Sequence, residues 1–80
     1  MNDSQIREHI ESLVAEEHRL LEHGDGGGMT NDDRELLEAI SVRLDQYWDL
    51  LRQRRARRDA GQDPEVAHIR DENIVEHYQQ

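Results

Sequence analysis

Eighty residues with a net charge of −9, 36% of them charged and 34% hydrophobic, make one small acidic domain at most. The absence of cysteine excludes disulfides, thiolate metal sites and thiol catalysis. Met1-Asn2-Asp3-Ser4 lacks the basic and apolar regions of a signal peptide, and the longest apolar run, Leu13-Val14-Ala15, is far too short to span a bilayer. A cytoplasmic protein without membrane association is the expectation.

The first predicted element is a helix over residues 2–23. Asn2 as N-cap with Gln5 at N3 has the spacing of a capping box, and Met1 and Ile6 form the flanking staple. Ile6, Ile10, Leu13, Val14, Leu20 and Leu21 fall on one face at helical periodicity. Glu17 lies near the centre of that stripe. It is either a carboxylate snorkelling from a shallow groove or a polar specificity element paired with an arginine of the second helix or of another chain. Gly24 supplies a stop, and residues 24–29 form a glycine-rich turn. That turn is no phosphate loop, since no strand precedes it and no Lys-Ser/Thr pair follows.

A second helix is expected over residues 30–60, with Thr30 as N-cap, acids in its first turn, and Gly61 and Pro64 behind it. Its apolar residues are Leu36, Leu37, Ile40, Leu44, Tyr47, Trp48, Leu50 and Leu51. They span an arc of about 160°, wider than one partner helix requires. The short turn between two amphipathic helices makes residues 1–60 an all-α, antiparallel, coiled-coil-like helical hairpin. The spare arc suggests a second contact surface, and a homo-oligomer, in the first instance a dimer, follows as an expectation. The helices measure roughly 33 Å and 46 Å. Folding back from residues 24–29 sets Ile6 and Ile10 level with Leu44 and Trp48, so helix one ends near Arg52. The basic residues beyond would project on an unpaired extension. Residues 61–80 form a tail in which Asp63-Pro64-Glu65 reads as the start of another short helix. Val66, Ile69, Ile74, Val75 and Tyr78 define no clean stripe, leaving a helical or extended segment open.

Arg52, Arg54, Arg55, Arg57 and Arg58 hold half of the ten basic residues within seven positions. Elsewhere five arginines face nineteen acids, a net of −14. Crowded guanidiniums repel one another and call for an acidic partner. A protein partner or self-association comes first, and RNA phosphate second, because the rest of the chain repels polyanions. Tyr47 and Trp48 read as structural anchors, with Trp48 covering the open end of the hairpin and its N–H directed outward.

The five histidines fall outside the apolar stripe or in the tail. The pairs His18/Glu22 and Glu65/His68 are too few for a di-metal bundle, which needs inward-facing ligands from four helices. No catalytic, metal or cofactor residue is assigned. A hairpin lacks the walls of a catalytic pocket, so a non-enzymatic interaction or adaptor protein is expected, with an RNA- or ribosome-associated factor as the alternative.

The stretch Leu44-Asp45-Gln46-Tyr47-Trp48-Asp49-Leu50-Leu51-Arg52-Gln53-Arg54-Arg55-Ala56, with Gly61 and Asp63-Pro64 behind it, resembles the short, mostly actinobacterial proteins of domain of unknown function family 2630. Glu16-Glu17-His18-Arg19-Leu20 and the closing Val75-Glu76-x-Tyr78 fit as well. The glycine-rich turn departs from the polar loop of that family. The resemblance implies a stand-alone bacterial cytoplasmic protein and brings no ligand or activity with it.

Overall fold

The computed structural model describes residues 1–71 and, for residues 24–27, the backbone alone. Ile74, Val75 and Tyr78 lie outside the described residues. Helix α1 spans Asp3–Gly27 and helix α2 spans Asn31–Asp59, followed by a 3-10 turn over Pro64–Val66. Each α-helix opens with reciprocal capping. The Gln5 N–H donates to Asn2 Oδ1 at 2.8 Å while the Asn2 N–H donates to Gln5 Oε1 at 2.9 Å. Thr30 and Asp33 make the same exchange at the start of α2. In both cases the exchange satisfies N–H groups left without helical partners. Helix α2 closes in a Schellman arrangement around Gly61 (φ 73°), with the Gln62 N–H on the Arg57 carbonyl and the Gly61 N–H on the Arg58 carbonyl.

The two helices pack as an antiparallel hairpin. Ile6, Ile10 and Leu20 of α1 meet Ile40, Leu44, Tyr47 and Leu50 of α2, with Leu13, Val14, Leu37, Leu51 and Ala67 packed around them. Ile6 is completely buried. Leu21 and Leu36, expected within the two stripes, are instead exposed at their edges.

The bend differs from the expectation. Helix α1 runs on through Gly24–Gly27, and the chain turns at Gly28, whose φ of 85° lies in the left-handed region open to glycine. Moving the bend from 24–29 to 28–30 slides α1 by more than a helical turn along α2. His9 therefore stacks on Tyr47, with ring centroids 5.2 Å apart and planes within 2° of parallel. Asp3 draws level with Arg54 and Arg58. The unpaired basic extension expected beyond Arg52 does not exist.

After Gly61 the chain reverses and runs antiparallel to α2. Its Pro64, His68 and Arg70 carbonyls accept in turn from Arg54, Gln53 and Gln46. Ala67, midway along this return segment, packs against the core. Among the described residues, no helix is long and apolar enough to cross a membrane.

Candidate functional site

The five clustered arginines have three different environments. Arg54 is 5% exposed and bonded on every side. Its Nε–H donates to Asp3 Oδ1 at 2.5 Å, one terminal nitrogen donates to the Pro64 carbonyl and the other to Glu65 Oε1, both at 3.2 Å. The Arg58 guanidinium reaches the second Asp3 oxygen at 2.8 Å, so Asp3 bridges two arginines of α2. These two hydrogen bonds, Arg58 first and then Arg54, hold the Asp3 carboxyl at about 2, below its ordinary 3.8. Donation to the Asp3 carboxylate raises Arg54 above its already high value and favours its charged form despite burial. Arg57 is half-buried and donates to the Gln62 side chain at 3.4 Å.

Arg52 and Arg55 are exposed and, among the described residues, form no ion pair. With Arg7 of α1 and the outer side of Arg58 they line an open cleft of about 240 Å³, floored by Leu51 and bordered by Asp3 and Trp48. Four guanidiniums thus face one carboxylate, and that carboxylate is already engaged. The periodicity of α2 explains the grouping, because Trp48, Leu51, Arg55 and Arg58 follow one another at three- and four-residue steps along one face. Arg7 joins them from the first turns of α1 because of the register that Asp3 and Arg54 define.

Trp48 corrects the expectation of a covered anchor. The residue is 46% exposed, and among the described residues no ring or guanidinium stacks on its indole. The longer α1 passes over the open end of the hairpin that the indole was expected to close, and Leu50, Leu51 and Ile6 fill the interior there. Tyr47 points the other way, into the core. Glu17 is half-buried and forms no ion pair among the described residues, so no arginine of the second helix partners it.

The chain matches the family model described as protein of unknown function (DUF2630) over residues 2–80. It belongs to that family. An uncharacterised protein of Mycobacterium bovis and another of Mycobacterium tuberculosis are each 47% identical to it over 79 residues, covering 95% of this chain and 88% of the relative. No solved structure matches the chain.

In this member of the DUF2630 family the second polar assembly lies on the opposite flank of α2. Asp49, 3% exposed, accepts from the Gln53 side chain at 2.9 Å and lies 3.6 Å from the Arg70 guanidinium. The same Gln53 nitrogen donates to the His68 carbonyl at 2.7 Å. Sequence reasoning missed Gln46, Asp49 and Gln53. The available signal was their spacing of three and four, a polar stripe beside the apolar arc, followed by a Gly61 and Pro64 reversal that had to bring a chain back onto it. Glu65, half of the Glu65/His68 pair, is engaged by Arg54, and among the described residues no group of three His, Asp or Glu is placed to hold a metal ion.

Proposed function

We propose that the protein is a small non-enzymatic interaction protein of the cytoplasm that presents the cleft of Trp48, Arg7, Arg52 and Arg55 to an anionic partner. The observation that carries this reading is the division of labour among the arginines. Arg54 and Arg58 satisfy internal carboxylates, whereas Arg52, Arg55 and Arg7 stand together and form no ion pair among the described residues. Like charges held at close range raise the energy of the free protein, and a bound anion relieves it. A non-catalytic role is supported by the bonding of Asp3 and Arg54, whose shifted protonation serves the fold. Asp3, the carboxylate that borders the cleft, is committed to Arg54 and Arg58.

The test is a pair of NMR titrations of the whole chain with a polyglutamate peptide and an oligoadenylate, following the Trp48 indole and arginine Nε signals. At least one polyanion should shift Trp48, Arg52 and Arg55, and the shifts should vanish in the Arg52→Gln/Arg55→Gln double variant. No response to either would return these arginines to a solvated surface.

A second copy of the chain is the second reading, favoured by Leu21 and Leu36, large apolar side chains left exposed on both helices near the turn. Sedimentation velocity at micromolar concentration tests it. A dimer that Leu36→Glu dissociates supports self-association, and a monomer at all concentrations refutes it.

A further inference from the structure

We infer that the ligand of the Trp48 cleft is a nucleotide unit, its base stacked on the indole and its phosphate held by Arg52, Arg55 and Arg7. This inference rests on the reading of the cleft as a partner-binding face and names the chemistry of the partner.

The indole selects this class over an acidic peptide, and the cations and size of the cleft accord with it. An aromatic ring left nearly half exposed, with no ring or cation stacked on it among the described residues, offers a planar surface beside cations. A carboxylate peptide needs only the cations, whereas a nucleotide uses both, and base stacking on an aromatic side chain contributes to binding with any base.

The cation chemistry of the cleft is compatible with a nucleotide. Its basic groups are guanidiniums, as they are throughout a chain without lysine, and the planar fork matches two phosphate oxygens as it would two carboxylate oxygens. Along α2 the Arg52 and Arg55 positions lie about 6 Å and about 10 Å from Trp48, so a base on the indole leaves its phosphate among them.

Size and charge are compatible as well. A cleft of about 240 Å³ is small for a ligand pocket and suits a single small group more than an extended partner. The chain as a whole carries −9, which opposes an extended polyanion lying along it. Charges beyond about 8 Å are screened at physiological salt, so a ligand confined to the cleft feels chiefly its guanidiniums. One nucleotide satisfies both constraints. It is either free in solution or the accessible end of a single-stranded RNA.

Trp48 is the single tryptophan of the chain, so its fluorescence reads stacking directly. The whole protein is titrated with adenosine 5′-monophosphate, an eight-residue oligoadenylate, inorganic phosphate and octaglutamate. Both adenine ligands should quench Trp48, and inorganic phosphate should compete with them without quenching. Arg52→Gln/Arg55→Gln should weaken adenine binding at least tenfold with an unchanged melting temperature. Equal affinity for the two adenine ligands identifies a free nucleotide, while oligoadenylate binding tenfold tighter identifies RNA. If octaglutamate alone perturbs Trp48, the nucleotide class is overturned and the anionic-partner reading stands. If none of the four binds, both fall.

Discussion

Arg54 and Asp3, 51 positions apart in the chain, meet in a 2.5 Å hydrogen bond that aligns the start of α1 with the end of α2. The bond also joins the hairpin to the return segment, because the same guanidinium holds the Pro64 carbonyl and the Glu65 carboxylate. Removing one partner of a buried, hydrogen-bonded ion pair strands the others, at a cost of about 3–5 kcal/mol. Arg54→Ala is therefore expected to lose most of the stability of so small a domain, as measured by urea unfolding followed by circular dichroism. Arg54→Lys should rescue little, since an ammonium cannot serve three partners in one plane. An alanine variant as stable as the parent would remove Arg54 from this role.

Acid should weaken the same junction. The Asp3 carboxyl is depressed from 3.8 to about 2 in the folded chain, so its stabilisation is fully present above pH 3.8 and is lost as pH falls toward 2. Discounted for partial exposure, the effect is on the order of 1–2 kcal/mol. Urea midpoints measured between pH 5 and pH 2 should fall more steeply for the parent than for Asp3→Asn. Parallel curves would show that Asp3 is not the titrating group.

The two neighbouring aromatics should respond in opposite ways. Tyr47 is buried in the core, and Tyr47→Ala should cost about 3–5 kcal/mol. Trp48 stands open, and Trp48→Ala should cost about 1 kcal/mol. Its emission should be red-shifted and readily quenched by acrylamide. A blue-shifted, protected indole would place Trp48 in a contact that the described residues do not make.

Gln53 is expected to control the return segment. Gln53→Ala removes both the Asp49 and His68 contacts and leaves a buried carboxylate with Arg70 alone. Limited trypsin digestion should then cleave after Arg70 several-fold faster, while the helical content of the hairpin is kept. Unchanged cleavage would show that Ala67 and Arg54 hold the segment without Gln53.

The helices, their caps and most of the core were legible in the sequence, because capping and apolar periodicity are local properties of the chain. Asn2, Gln5, Thr30, Gly61 and Asp63 act where such rules put them. The bend was not legible. Gly24, Gly26, Gly27 and Gly28 are all competent helix stops, and the choice of Gly28 is made by contacts at the far end, where Asp3 reaches Arg54. The candidate site was half legible for the same reason. The arginine cluster is visible as composition, yet its division into fold-holding and solvent-facing members depends on a register that only the packed hairpin has. Trp48 was misplaced by that same shift of more than one turn.

Helix α2 grips the return segment by the carbonyl oxygens of Pro64, His68 and Arg70, groups that a position keeps whatever side chain it bears. Val66 and Ile69 meanwhile point to solvent. Natural variation at those outward positions can rewrite the surface of this strap while the anchoring of its backbone is inherited unchanged.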